Sequence, residues 1–491
     1  MGSNTMPVCV VGAGTMGRGI AQVAVVAGHR VSLVDPDIAQ LEAARSEIAA
    51  RLERRHPDLV GVLDERLARF EHIGDVPAVE QTLVIEAVLE DLDVKREVLA
   101  AAHEHFGDSC VLATNTSSLS ITEIAAGSRI PERVVGMHFF NPVPLMQLVE
   151  VVAGLQTDPK ITELIAELAV AWGKTVARVR SAPGFIVNRV ARAFYGEPLR
   201  LLEEGAASPE TLDEVIRAAG GFKMGPFELM DLIGNDVNSA VTRKVWTAFH
   251  FDPRFTPSRI QDELVVAGRY GRKSGRGFYD YADSAVRPEP AVADGPRPAS
   301  VSLSGSCLQL AAIVERAGFS SQSEATDAGP ARAVLPDGTA VMVTRGSTAR
   351  EEAARSGVPV TVIDRCLDPA SASGIALAGS TAAALAAAAG LLVAAGITPR
   401  PIADVPGLVI GRTLSMIANE AFETALQGIS TAADIDLAMQ LGTNYPVGPF
   451  AWSRAWGEES VLEILDALWD TYHDPRYRAS RLLREAATAT R

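Results

Sequence analysis

Val8-Cys9-Val10-Val11-Gly12-Ala13-Gly14-Thr15-Met16-Gly17 is the stretch on which the fold turns, with Asp35 following eighteen residues beyond Gly17. The apolar, β-branched run Val8 to Val11 predicts a strand buried on both faces. Residues 18–27 predict an amphipathic helix, Gly28 ends it, and residues 30–34 predict a second strand. Strand, glycine loop, helix, strand and acid form the sequence context that a dinucleotide-binding βαβ unit requires. Gly12 would make the tight turn, Gly14 would let the backbone approach a pyrophosphate, and Gly17 would let helix and strand pack closely. The free N–H groups of the helix start, around Thr15 and Met16, would face that anion. Asp35 would accept hydrogen bonds from ribose hydroxyls and repel a 2′-phosphate. The next residues, Pro36 and Asp37, supply no arginine, so NAD is expected over NADP.

Outside that stretch, composition sets bounds. At 491 residues, several domains are the default. A formal charge of −15 argues against a nucleic-acid surface. The richest apolar segment, residues 382–397, is mostly alanine and reads as a buried helix rather than a membrane span. The N-terminus lacks the regions of a signal peptide, so a cytoplasmic protein is expected. The four cysteines, Cys9, Cys110, Cys307 and Cys366, show no metal spacing and read as buried thiols.

The alternation of strands and helices continues. Strands are predicted over 82–86, 111–114, 134–138 and 146–152. Glu86, Ser117 and His138 fall at or just past carboxyl ends, where open α/β sheets bind ligands. His138 differs from the other seven histidines in ending an apolar strand before a Pro-rich turn. Glu150, flanked by Leu148, Val149, Val151 and Val152, is expected to be buried on the next strand. Hydrogen-bonded to one imidazole nitrogen, it would fix the tautomer and leave the other nitrogen free to take an alcohol proton.

Seven segments carry a resemblance: VVGAGTMGRGIA, VIEAVLEDLDVK, TNTSSLSIT, GMHFFNPVPLMQLVEVV, APGFIVNR, MGPFELMD and GRKSGRGFYDY. Spread over the first 280 residues, they resemble the L-3-hydroxyacyl-CoA dehydrogenase family. That resemblance implies a Rossmann NAD-binding domain joined to an all-α helical domain. It also implies oxidation of the 3-hydroxyl of a (3S)-3-hydroxyacyl-CoA thioester, with NAD as cofactor and an acyl-CoA as the small-molecule partner. His138 would be the catalytic base and Glu150 its partner, with Ser117 and Asn188 on the substrate's reacting oxygens. Glu86, Lys95, Asn141 and Lys273 would contact the cofactor beside Gly12, Gly14, Thr15, Met16, Gly17 and Asp35. The helix expected over 39–56 would offer Arg51, Arg54 or Arg55 to coenzyme A, a solvated helix face being the alternative. Long members of this kind are associated with 3-hydroxyadipyl-CoA in phenylacetate degradation and with 3-hydroxybutyryl-CoA. A terminal carboxylate would want a cation such as Lys223 or Arg192, an ordinary exposed charge being the alternative reading of either.

The second half reads as a degenerate repeat. Pro183-Gly184-Phe185-Ile186-Val187-Asn188-Arg189 is answered by Pro406-Gly407-Leu408-Val409-Ile410-Gly411-Arg412. Likewise Met224-Gly225-Pro226-Phe227 is answered by Val447-Gly448-Pro449-Phe450, and His250-Phe251-Asp252-Pro253 by Tyr472-His473-Asp474-Pro475, at an offset of 222 or 223 throughout. Strands are predicted over 301–303, 340–344 and 358–363, around a single Gly305. This rudimentary Rossmann-like unit shows no counterpart of His138, Glu150 or Ser117, and Gly411 replaces Asn188. It is expected to bind no dinucleotide. The expected domains are 1–183 (NAD-binding), 184–283 (helical), 284–403 (linker and degenerate unit) and 404–491 (second helical). The second helical domain is expected to cover the first as an internal pseudo-dimer, residues 406–469 on 185–241, with a further homodimer left open. Two other readings stand beside this one: a β-hydroxyacid dehydrogenase acting on free acids, and a non-catalytic NAD-binding scaffold.

Overall fold

The computed structural model describes residues 6–321, 323–324 and 330–489. They fall into two compact units, Met1–Arg189 with Gln427–Thr443, and Val190–Leu426 with Asn444–Arg491. Part of the expected second helical domain, Gln427–Thr443, therefore goes with the first unit.

The first unit is built on an eight-stranded sheet in the order β3-β2-β1-β4-β5-β6-β7-β8. Its strands are β1 (Val8–Val11), β2 (Val31–Val34), β3 (Leu67–Phe70), β4 (Leu83–Glu86), β5 (Val111–Thr114), β6 (Val134–Phe139), β7 (Leu148–Ala153) and β8 (Thr175–Arg180). All neighbours pair in parallel except β6 with β7. β1, β4 and β5 are buried along their whole length, as a parallel sheet covered on both faces demands. The helix Thr15–Val26 packs Ile20, Ala21 and Ala24 into that core. The helix Ala432–Thr443 lies against β7 and β8.

The second unit holds a seven-stranded sheet and most of the helices. Its strands are β9 (Ser302–Ser304), β10 (Ser323–Glu324), β11 (Arg332–Val334), β12 (Ala340–Val343), β13 (Val360–Ile363), β14 (Gly374–Gly379) and β15 (Thr398–Pro401), in the order β10-β9-β11-β12-β13-β14-β15. β12 and β13 are parallel, β13 and β14 antiparallel, and β14 and β15 parallel, repeating the pattern of β5 through β8. The helix Pro209–Ala218 lies against β14. The helix Arg192–Glu203 packs along Ile410–Leu426, a helix buried over most of its length. Among the described residues, no helix is long and apolar enough to cross a membrane. The alanine-rich segment forms a helix over Ala382–Ala394.

Candidate active site

The glycine loop shows three different reasons for glycine. Gly12 has φ +102°, and a Cβ there would sit 2.7 Å from the Ala87 carbonyl oxygen. A Cβ on Gly17 would sit 1.7 Å from the Gly12 oxygen, so the helix could not close on the turn. Gly14 has φ −65° and a Cβ there would meet nothing within 4 Å. Nothing inside the protein demands glycine at that position; its absent side chain keeps open the space before the helix start. Asp35 ties the loop down, accepting from Ala13 N at 2.8 Å and from Asp37 N at 2.9 Å. Open space, helix N–H groups and an acid at the end of β2 fit the pyrophosphate and ribose of NAD.

At the ends of β4 and β5 two carboxylates organise the loop Asn115–Ser118. Glu86 is fully buried; it accepts from Lys95 Nζ (2.8 Å), Val88 N (2.7 Å) and the Thr114 hydroxyl (2.7 Å). Its oxygens are taken up by Lys95, Val88 and Thr114. Lys95, also buried, reaches Glu90 at 3.3 Å. Glu90 was not among the expected site residues, yet it is the hub. It accepts from the Thr116 hydroxyl (2.7 Å), the Ser118 hydroxyl (2.7 Å), and the backbone N–H groups of Ser117 and Ser118 (3.0 Å each). Burial pushes its carboxyl pKa up, but the Lys95 ammonium and these hydrogen bonds outweigh that and hold it at about 2. A hydroxyl-rich loop facing several acids was the sequence signal; the path of the chain decides which acid it meets.

The third group is the pair expected to do the chemistry. β6 and β7 place His138 directly opposite Glu150. His138 Nδ1 lies 2.6 Å from Glu150 Oε2, both side chains being buried. The imidazole sits between the rings of Phe140 (4.5 Å) and Phe185 (5.6 Å). Glu150 Oε1 accepts from Ile186 N (3.0 Å) and Val187 N (3.1 Å). Those donors are aimed by a turn in which Gly184 (φ +72°) and Phe185 (φ +49°) both take the left-handed region, a strain the packed surroundings sustain. Both Glu150 oxygens are thus engaged, Oε2 by His138 Nδ1 and Oε1 by the backbone. Among the described residues, Nε2 of His138 has no hydrogen-bond partner, which leaves it available to a substrate.

Asn188 donates to the Ser117 carbonyl at 3.4 Å, bringing those two expected residues together. Asn141 is exposed beside the site strand β6. Lys273 belongs to the second unit, where it pairs with Asp236 at 2.7 Å. On the helix Ile38–Arg55, Arg51 pairs with Glu47, Arg54 folds back to the Ala50 carbonyl, and Arg55 is exposed. In the second unit Lys223 is exposed and Arg192 is buried, donating to the Thr242 hydroxyl at 3.1 Å.

The second sheet shows what stands at the position of His138, and it is not a histidine. Ala177 pairs with Glu150, which faces His138; Arg400, 223 residues after Ala177, pairs with Ala376, whose carbonyl accepts from Asp364 N at 2.8 Å. By register, Asp364 stands where His138 does and Ala376 where Glu150 does. Asp364 has taken over the other task of Glu150. Its Oδ2 accepts from Val409 N (2.9 Å) and Ile410 N (2.7 Å), the counterparts of Ile186 and Val187. Its Oδ1 accepts from Gly411 N at 2.9 Å. A Cβ on Gly411 would lie 2.9 Å from Thr344 Cγ2, already in the close range before an asparagine amide is added. The turn Gly407-Leu408 keeps φ values of +73° and +51°. The backbone device survives in the second copy and the histidine does not.

Comparison with known proteins agrees with this division. Residues 7–182 match the 3-hydroxyacyl-CoA dehydrogenase NAD binding domain. Residues 184–281 and 407–491 each match the C-terminal domain of the same enzymes. Residues 341–406 match a 3-hydroxybutyryl-CoA dehydrogenase reduced Rossmann-fold domain. A 3-hydroxyadipyl-CoA dehydrogenase of Escherichia coli (strain K12) is 43% identical over 490 residues, 99% of this chain and 98% of that protein. The mitochondrial hydroxyacyl-coenzyme A dehydrogenase of Homo sapiens is 36% identical over 284 residues, covering 56% of this chain and 90% of its own. A crystal structure of 3-hydroxybutyryl-CoA dehydrogenase from Escherichia coli K12 superposes with a TM-score of 0.89 at 40% identity, covering 99% of both chains.

Proposed function

The chain belongs to the 3-hydroxyacyl-CoA dehydrogenase family, NAD-dependent oxidoreductases of 3-hydroxyacyl-CoA thioesters, and from that premise we propose that His138 is its base and 3-hydroxyadipyl-CoA its substrate. The observation that carries the residue assignment is the buried His138–Glu150 pair at 2.6 Å. Held by Glu150, the imidazole presents Nε2 as the proton acceptor, and the carboxylate stabilises the imidazolium that forms. Bound NAD supplies the hydride acceptor at C3 of the (3S) substrate. Ser117 and Asn188 hold the reacting oxygen in line, a contribution of orientation. Glu90, through Lys95 and the Thr116 and Ser118 hydroxyls, fixes the loop that carries Ser117.

The adipyl chain is favoured by the relative that matches both halves at 43% identity, whereas the full-length structure bears the 3-hydroxybutyryl name. The kcat/KM ratio for NADH formation on the two thioesters decides between them. A ratio above ten for 3-hydroxyadipyl-CoA is expected; a preference for 3-hydroxybutyryl-CoA would overturn the assignment. A cytoplasmic setting accords with an acyl-CoA substrate and with cysteines that form no disulfide.

We also infer that the two helical copies form an internal pseudo-dimer. A two-fold interface requires that if residue i meets j′, then j meets i′. Arg189 donates to Gln427 at 2.9 Å, and Arg412 donates to Glu204 at 2.9 Å; each residue of the second pair is offset by 223 from one of the first. Arg412 is fully buried, and Glu197 Oε2 (2.8 Å) and the Tyr477 hydroxyl (2.7 Å) complete its shell. Arg412→Ala leaves the buried Glu197 carboxylate without its cation and should cost about 3–5 kcal/mol in denaturant unfolding. A loss below about 1 kcal/mol would remove this support.

A further inference from the structure

The degenerate second sheet keeps a cleft where an α/β sheet binds ligands. β9, β12 and β13 run parallel to one another, so their carboxyl ends share one edge. Beyond that edge lies a cavity of about 630 Å³, a size typical of small-molecule sites. Its walls include Ser306 and Cys307 at the start of the helix Leu308–Arg316, Arg345 after β12, Arg365 after β13, and Trp456.

The charges in this cleft are unbalanced. Arg345 is satisfied by Glu463 through bonds of 2.9 and 2.6 Å. Arg365 is not satisfied. Its guanidinium stacks 5.2 Å above the Trp456 ring, its Nε is buried with no hydrogen-bond partner, and among the described residues no carboxylate lies within ion-pair distance. The nearby acid Asp364 cannot serve, since its oxygens are engaged by backbone N–H groups of residues 365, 409, 410 and 411. Arg365 is half-buried, and a buried guanidinium N–H without an acceptor is costly unless an anion completes it. The loop here differs from the first copy. Gly305 is the only glycine of the turn, its φ is +76°, and a Cβ on it would touch Ala331 Cα at 2.9 Å. Cys307 follows without a second glycine, so no backbone cradle for a pyrophosphate exists.

We propose that this cleft binds a phosphate-bearing small molecule of mononucleotide size, its anionic group on Arg365 and the start of the helix Leu308–Arg316. The site is separate from the dehydrogenase centre and makes the second copy a ligand-binding element.

The test uses the full chain saturated with NADH, so that the glycine loop of the first copy is filled. AMP and inorganic phosphate are titrated by calorimetry into wild type and Arg365→Gln. Cys307 provides a second readout that needs no variant: it is half-buried on the cavity wall, whereas Cys9, Cys110 and Cys366 are buried. AMP should bind with a submillimolar Kd, weaken at least tenfold in Arg365→Gln, and slow alkylation of Cys307 by N-ethylmaleimide. Neither AMP nor phosphate giving heat or protecting Cys307 at millimolar concentration would overturn the proposal, as would unchanged affinity in the variant.

Discussion

The two sheets of this chain solve the same backbone problem and differ in what they do with the solution. In each, a strained turn (Gly184-Phe185, Gly407-Leu408) starts a helix whose first N–H groups need an acceptor. In the first sheet Glu150 provides it and still has an oxygen for His138. In the second, Asp364 provides it from the histidine's own position and engages both oxygens in doing so. One acid suffices to cap the turn in both sheets, and on the reading proposed above it is the titratable group opposite it that makes a catalyst of the first.

The largest effect is expected from Glu150→Gln. The amide can still accept from the helix start, but it no longer stabilises an imidazolium or fixes the Nδ1–H tautomer. A fall in kcat of about 10³–10⁴-fold is expected, with little change in unfolding free energy. An equal loss of stability and activity would mean that Glu150 is only a cap. Asp364→Ala should behave in the opposite way, leaving several buried N–H groups without acceptors and costing about 3 kcal/mol while kcat per folded molecule stays unchanged. Measurable loss of turnover in correctly folded Asp364→Ala would break the comparison. Gly411→Asn, which restores the side chain of the first copy, should destabilise by about 1–3 kcal/mol through overpacking against Thr344, read from the denaturant midpoint.

The smallest effect, and the one with a sign, is in pH. Glu90 is held at about 2, below its ordinary range, so its contribution is present above about pH 4.5 and is lost as pH falls toward 2. Asp364 is the reverse: burial outweighs its backbone hydrogen bonds and raises its pKa to about 6. Its contribution is full below about pH 4 and is lost as pH rises through 6. Thermal midpoints of Glu90→Gln and Asp364→Asn against wild type should therefore diverge on opposite sides of pH 4–5. Parallel curves would show that the two acids are not differently placed.

Much of the first sheet was legible because its motif closes a turn at fixed spacing: the close approaches at Gly12 and Gly17, the Asp35 tie to the loop and the facing of His138 and Glu150 could be read from the residues. Glu90 was not, since Glu86, Glu90, Asp91 and Asp93 all lie near Lys95 and only the loop's path selects among them. The strand Leu67–Phe70 was hidden by its charged residue, β14 by its small residues between glycines, and β15 by Pro399 and Pro401. The equivalence of Asp364 and His138 was masked by a frame change. Their offset is 226, as it is for Ala376 and Glu150, but it becomes 223 by Arg400 and Ala177. The connection from β14 to β15 is three residues shorter than its counterpart. Helical halves that keep their turn glycines and prolines advertise a repeat; sheets that keep only hydrogen-bond geometry do not.

The most direct measurement is NADH formation at 340 nm on 3-hydroxyadipyl-CoA by wild type and His138→Ala, with NAD binding followed in the same preparations. The account predicts a loss of a hundredfold or more in kcat at unchanged NAD affinity. Turnover surviving in His138→Ala would place the base elsewhere and contradict it.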